Sequence, residues 1–354
     1  MKYYCIAGEP SGDSHTASLV QNIKMYDRKA TFRGFGGVAM EESGVTIDRH
    51  LSYLSFMGFT NVIFHLFTII NNFRIAKNKI KAYKPDIIIL TDYPGFNLRM
   101  AKWCKKNGYK VIYYISPQIW AWKYNRIYII RKYIDKMLCI LPFEKDIYTK
   151  EQVEAHYVRH PLLDKISINI NIQKEETIAL FPGSRTQEIR KHLPILLDIA
   201  NQLPAQGFKL AGISSYHYPI LPSNITLVID DPYDVLLKSR AAIISSGTAT
   251  LEAALLNIPT VVIYKTNTLN YFIAKHLVKL KWMSLVNILA NKNLFPECIQ
   301  SHCNEREIIQ KLNYIESQDI NYRNMMIEAF KAHPIEDAAK IIHDYCAKKD
   351  NANR

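Results

Sequence analysis

The chain has 354 residues, 48% of them hydrophobic and 22% charged, which is more than one core ordinarily holds and excludes an intrinsically disordered polypeptide. Its formal net charge of +13 suits an anionic partner, whether nucleic acid, an anionic membrane surface or a phosphorylated small molecule. No nucleic-acid motif or basic–aromatic array accompanies that charge, and no apolar run reaches the roughly 18 residues of a membrane span, so a soluble fold without nucleic acid is expected.

In chain order, residues 2–7 read as a first buried strand, followed by an amphipathic helix over 14–25. Residues 61–83 form a separate helical pattern, with Val62, Ile63, Leu66, Phe67 and Ile70 in its apolar half and Arg74, Lys77, Lys79, Lys81 and Lys84 behind them. That order suits an element dipping into a lipid interface while lysines meet anionic head groups; a helix wholly buried beneath a sheet shows the same apolar excess. Strand and helix then alternate at 86–90, 96–106, 110–115, 120–133 and 136–141. The polar stretch 167–176 reads as a linker, after which strands at 177–181, 208–211, 225–228, 241–244 and 260–264 alternate with helices near 192–202, 233–239 and 248–256. Beyond 267 the pattern is helical, and the end after 348 offers nothing to bury. This series predicts two Rossmann-like, doubly wound parallel-sheet domains facing a cleft, 1–166 and 167–354, the second with a helical tail.

Two loops carry glycine, hydroxyl and acid together: Gly8-Glu9-Pro10-Ser11-Gly12-Asp13 and Ser246-Gly247-Thr248-Ala249-Thr250-Leu251-Glu252. Each closes a strand and opens a helix, where glycine lets a ligand approach the backbone and free N–H groups attract phosphate. Gly183, Ser184 and Arg185 form a third such turn, and a guanidinium fork beside backbone amides matches a diphosphate. Glu252 lies one turn into its helix, within reach of ribose hydroxyls, although Ser246 and Thr248 would also make an ordinary helix cap. Asp92 follows the strand 86–90 and is placed either to accept a proton from an attacking hydroxyl or to cap the next helix. Asn287 interrupts an apolar stretch, as a ligand contact or as a satisfied core amide. Trp120 and Trp122 line a sugar or acyl pocket or belong to the core, with Lys123, Arg126, Arg131 and Lys132 close by to suit an anionic substrate.

The six cysteines, at 5, 104, 139, 298, 303 and 346, are scattered without a CxxC pair, which points to a reducing compartment. Cys298, His302 and Cys303 lack the fourth ligand of a zinc site, so neither a metal nor a cofactor is expected. The N-terminus lacks the pattern of a secretory signal, and cytoplasmic residence is the expectation.

Ala7-Gly8-Glu9-Pro10-Ser11-Gly12-Asp13, Met57-Gly58-Phe59, residues 116–122, Leu141-Pro142-Phe143-Glu144, Pro182-Gly183-Ser184-Arg185, residues 246–252 and Asn287 follow one another in an order that resembles lipid-A-disaccharide synthase, the inverting GT-B glycosyltransferase family of lipid A assembly. The resemblance implies transfer of a sugar from UDP-2,3-diacylglucosamine to the 6-hydroxyl of 2,3-diacylglucosamine 1-phosphate. It implies Asp92 as the base, Arg185, Glu252 and Asn287 on positions tied to donor binding or activity, and Glu9 and Asp13 with Ser11 on the acceptor side. A peripheral association with the inner membrane is implied as well, and an exchange of C-terminal segments in a homodimer is permitted. One departure stands out: where the family usually has a second acid in Asp-x-Pro-Asp-Phe-Asn, this chain has Gly95.

Overall fold

The computed structural model describes residues 1–54, 66–166, 174–267 and 281–347. Met57-Gly58-Phe59, Val62 and Ile63, most of the expected linker and the extreme C-terminus lie outside them. The described chain divides into two compact units, Met1–Pro161 with His333–Arg354, and Leu162–Ala332.

The first unit runs β1 (Lys2–Ala7), α1 (Pro10–Tyr26), β2 (Thr31–Gly36), α2 (Val38–Glu42), β3 (Val45–His50), α3 (Leu66–Tyr83), β4 (Ile87–Thr91), α4 (Pro94–Lys106), β5 (Lys110–Tyr114), α5 (Ile127–Tyr133), β6 (Lys136–Cys139), α6 (Pro142–Lys150) and β7 (Ala155–Tyr157). Its strands form one parallel sheet in the order β3-β2-β1-β4-β5-β6-β7. Both faces are covered, so β1 from Tyr3 to Ala7 and β4 from Ile87 to Leu90 are apolar at successive rather than alternate positions. Tyr4, Ile6, Ile88 and Leu90 face α3 and α4, while Tyr3, Cys5, Ile87 and Ile89 face α1.

The second unit follows α7 (Pro161–Ile166) with β8 (Glu175–Phe181), α8 (Thr186–Gln202), β9 (Gly207–Gly212), β10 (Ile225–Ile229), α9 (Pro232–Lys238), β11 (Ser239–Ser245), α10 (Thr248–Leu255), β12 (Thr260–Tyr264), α11 (Leu285–Ala290), β13 (Glu297–Ile299), α12 (Glu305–Glu316) and α13 (Tyr322–Phe330). Its sheet is also parallel, ordered β10-β9-β8-β11-β12-β13.

The last helix, α14 (Ala338–Ala347), corrects the expected division at 166/167. It packs on the first unit rather than the second. Ala339, Ile342 and Cys346, spaced along one helical face, are buried with Ala17, Val20 and Ile23 of α1. Lys110 donates to the carbonyls of Tyr345 and Cys346 at 2.7 and 3.1 Å, closing the helix's C-terminus, and the Tyr26 hydroxyl donates to Asp337 at 2.6 Å.

The helix expected over 120–133 is shorter in the structure. Only Tyr124–Tyr133 is helical, with a 3-10 turn over Tyr124–Arg126 leading into α5. The preceding loop is held instead by side chains of α6: the Trp120 indole N–H donates to Glu144 at 2.9 Å, and the Tyr148 hydroxyl donates to the Pro117 carbonyl at 2.8 Å.

Candidate active site

In each sheet the strand order reverses once, between β1 and β4 in the first and between β8 and β11 in the second. The loops leaving those strands diverge at that point and open a crevice at the carboxyl ends of the sheet. The four loops singled out from the sequence are the ones that lie there.

In the first unit, Asp92 is the residue immediately after β4, and it and Tyr93 both adopt left-handed backbone, with φ of 45° and 48°. Two such non-glycine residues in succession are costly and persist only where neighbours over-determine them. Here the Asp92 N–H donates to the Tyr114 carbonyl at 3.0 Å. Its own carbonyl accepts from the Tyr113 hydroxyl and from Asn97 Nδ2, the latter at 2.8 Å. Asn97, fully buried, also donates to the carbonyls of Thr91 and Ile6. Tyr93 extends to Leu54, donating to its carbonyl at 2.9 Å, and its ring lies so close to Gly8 that a Cβ there would fall 2.3 Å from Tyr93 Cδ1. This explains the glycine of the first loop: it makes room for the side chain that braces the aspartate.

The Asp92 carboxyl is pushed up from 3.8 to about 6, chiefly by burial and then by the charge of Glu9; the Tyr93 N–H and the Arg126 guanidinium oppose the shift. Glu9 is partly buried at the cap of α1, and Ser11 is exposed two residues beyond. Expected on the acceptor side, Asp13 has a buried carboxylate that accepts from the N–H groups of Gly37, Ala39 and Met40 at 2.6, 3.1 and 3.3 Å, so it caps α2. The position where a second acid was expected, Gly95, is exposed, and a Cβ there would meet nothing within 4 Å.

In the second unit, Gly183 sits at φ 123°, in the region that favours glycine, and Arg185 caps α8. Glu188 on the first turn draws this loop together: it accepts from Ser184 N at 3.2 Å and pairs with Arg185 at 3.0 Å. The Arg185 side chain remains 54% exposed and thus accessible to a ligand. His192 fixes the loop from below. One ring nitrogen meets the Pro182 carbonyl at 2.7 Å and the other accepts from Lys265 N at 2.9 Å, which requires the neutral form, and burial pushes its pKa down. The strand ends of β8 and β12 are thereby tied.

At the end of β11, Gly247 caps α10 with no side-chain acceptor, and Gly247 and Thr248 are exposed. Ser246 does not cap the helix. Its hydroxyl donates to the Met283 carbonyl at 3.0 Å. The Thr250 hydroxyl turns back to the Gly247 carbonyl at 2.7 Å, and Glu252 is partly buried further along α10.

Asn287, read either as a ligand contact or as a satisfied core amide, has its amide fully bonded within the structure. The side chain is fully buried; Oδ1 accepts from Leu294 N and Phe295 N, both at 2.9 Å, and Nδ2 donates to the Phe295 carbonyl at 2.8 Å and to Glu297 at 2.9 Å. Both lone pairs and both protons are used. Glu297 in turn accepts from Met283 N and Ser284 N, so a chain of bonds runs from Asn287 to the carbonyl that holds Ser246.

Several of these residues carried no readable signal in the sequence. Tyr113, His192 and Glu297 act across strands or from 10 to more than 70 positions away, and nothing in local spacing marks them, whereas Asn97 ends the Asp-x-Pro-Asp-Phe-Asn motif without a role read for it. Glu144 was visible within a motif but without a role; it is buried, and burial pushes its carboxyl up to about 7 despite the Trp120 N–H. On the exposed side of α3, Phe67 is 86% and Ile70 56% accessible, so these two apolar residues do not belong to the core beneath. Among the described residues no helix is long and apolar enough to cross a membrane.

A family model described as lipid-A-disaccharide synthetase matches residues 3–341. Lipid-A-disaccharide synthase 1 of Legionella pneumophila (strain Paris) is 37% identical over 348 residues, covering 92% of this chain and 91% of that protein. Lipid-A-disaccharide synthase of Coxiella burnetii (strain CbuG_Q212) is 35% identical over 369 residues, covering 96% and 97%. Among solved structures, spinosyn forosaminyltransferase superposes with a TM-score of 0.64 at 10% identity, covering 98% of this chain and 99% of that one. The UDP-GlcNAc 2-epimerase of Neisseria meningitidis bound to UDP-GlcNAc gives 0.60 at 14%, covering 98% and 100%. At such identities the structural likeness shows the fold, GT-B, which transferases and epimerases share.

Proposed function

The chain belongs to the lipid-A-disaccharide synthase family, and from that premise we propose how its residues divide the family's reaction. It is a hexosyltransferase that joins UDP-2,3-diacylglucosamine to 2,3-diacylglucosamine 1-phosphate, giving a β-1,6-linked disaccharide 1-phosphate and UDP. An epimerase reading would rest on the shared fold alone and is not favoured.

Asp92 is the general base. The acceptor's 6-hydroxyl attacks C1 of the donor sugar from the face opposite the diphosphate. The new C–O bond forms as the bond from C1 to the diphosphate oxygen breaks, the electron pair leaves with UDP, and the hydroxyl proton passes to Asp92. An ordinary aspartate, with a pKa of about 4, cannot ionise an alcohol beforehand, so the proton moves only as the bond forms. Raising the carboxyl to about 6 makes it a better acceptor at that moment while leaving it charged at neutral pH. The braced left-handed backbone at Asp92 is the observation that carries this assignment, because such strain is retained where a side chain must be aimed.

The donor's diphosphate is received in the second unit by Gly183, Ser184 and Arg185 and by the amides at Gly247 and Thr248, which supply the counter-charge for the leaving group. Glu252 addresses the ribose. Ser246 and Asn287 act by holding the loop rather than by touching the nucleotide. Glu9 and Ser11 border the acceptor. Phe67 and Ile70, exposed ahead of a basic stretch, rest on the anionic inner-membrane surface where the acyl chains of both substrates lie, and the protein works there from the cytoplasmic side. A homodimer is compatible with this arrangement.

The test is direct: purified protein is incubated with both lipids, and the tetraacyl disaccharide phosphate is sought by mass spectrometry. UDP release must depend on the acceptor. Release without it, or no disaccharide at all, would refute the reading.

A further inference from the structure

Arg126, whose charge acts on Asp92, is joined by two further cations from two parts of the first unit. The loop that follows β5 is anchored to α6 through Trp120 and Pro117, as described above, and it delivers Trp122 with its indole partly exposed. Lys123, in left-handed backbone at φ 55°, places its Nζ 4.4 Å from the Trp122 ring centroid. The Arg126 guanidinium stacks 4.8 Å from the same centroid. Arg126 is partly buried, and its charge reaches Asp92, Tyr113 and Tyr148. The Lys123 ammonium is pushed down by burial and by the charges of Arg126 and of Arg99, which projects from α4.

None of the three pairs with a carboxylate among the described residues. Some neighbouring cations are matched, as Arg131 is by Glu151 and Lys105 by Asp135. Holding like charges together without a counter-ion costs free energy unless an anion joins them, and a cluster able to give several charge-assisted bonds fits a phosphate best. The donor's diphosphate has its own amides and guanidinium in the second unit. The acceptor brings one further phosphate, carried on the same sugar ring as the attacking hydroxyl.

We propose that Arg126, Lys123 and Arg99 form the subsite for the acceptor's phosphate, so that gripping the 1-phosphate delivers the 6-hydroxyl to Asp92. This rests on the functional reading above and adds the residues that distinguish a phosphorylated acceptor from its dephosphorylated counterpart. Arg126 is the principal contact, being the most buried and the nearest to Asp92 in electrostatic effect. Lys123 and Arg99 complete the charge at the rim.

Steady-state kinetics with 2,3-diacylglucosamine 1-phosphate and with dephosphorylated 2,3-diacylglucosamine test it. Arg126→Gln should raise KM for the phosphorylated acceptor about 10- to 100-fold, the range expected for a lost charge-assisted bond, while KM for the donor stays within about twofold. The wild-type preference for the phosphorylated acceptor should shrink in step. The double variant Lys123→Ala, Arg99→Ala alters only exposed side chains and should narrow the same preference, which keeps the measurement decisive if Arg126→Gln folds poorly. Variants that retain the full wild-type preference would overturn the subsite and leave the family reaction standing. A wild-type protein that makes no disaccharide from either acceptor would instead overturn the reaction, and the subsite with it.

Discussion

Acidification should silence this enzyme well before an ordinary aspartate would lose its charge. With the Asp92 carboxyl at about 6, roughly nine-tenths is ionised at pH 7 and about one-tenth at pH 5, a loss near tenfold in kcat/KM, whereas an aspartate at 3.8 would remain above about nine-tenths ionised at pH 5. The assay is disaccharide formation across about pH 5 to 8, with Asp92→Asn and Glu9→Gln alongside. Asp92→Asn should lower kcat on the order of 100-fold or more and abolish the acid limb. Glu9→Gln removes the second-largest cause of the shift, so its limb should fall below that of the wild type. Stability supplies an independent check. Because the folded pKa lies above the unfolded one, the native state loses stability as pH rises from 3.8 through about 6, and the full penalty, up to about 3 kcal/mol, is present at pH 7. Asp92→Asn should therefore melt higher than the wild type at neutral pH and gain nothing at pH 3. A wild-type profile flat down to pH 5, or an Asn variant with the wild-type limb, would refute the reasoning.

Three further outcomes follow from the same geometry. Gly95→Asp should fold without penalty, since its Cβ meets nothing and an acid on the first turn of α4 suits the helix dipole, and its charge should move the acid limb of the pH profile upward. Asn287→Ala should destabilise the protein by about 2–4 kcal/mol, because it leaves buried N–H groups and a carbonyl unpaired; an unchanged melting temperature with lost UDP binding would restore a ligand role for that amide. Phe67→Glu with Ile70→Glu should cut co-sedimentation with anionic vesicles at least tenfold, as each apolar side chain inserted is worth about 1.5–3 kcal/mol, and undiminished binding would remove α3 from the membrane surface.

The strands nearest the centre of each sheet were legible in the sequence because burial on both faces makes them continuous apolar runs. β1, β4, β5, β8, β11 and β12 all stand where the pattern put them, and the glycine-bearing loops followed from their ends. The strands β2, β3, β7 and β13 were not legible. They lie toward the sheet edges, are short or partly exposed, and mix charged residues such as Arg33, Asp48 and Arg49 with apolar ones. The 120–123 segment reads as helix by local pattern, yet the bonds from Trp120 and Pro117 to α6 hold it as a loop.

By itself, then, the sequence determined the two parallel sheets, the loops at their reversal points and the aspartate that ends β4, since each is encoded within a few neighbouring residues. Only the tertiary structure decided that α14 joins the first unit, that Asn287 and Asp13 are bonded to backbone, and that burial raises the Asp92 carboxyl to about 6 against the charge of Arg126. Burial and through-space charge depend on residues brought together from distant parts of the chain, as at the Tyr26–Asp337 contact 311 positions apart, and local spacing carries no record of them.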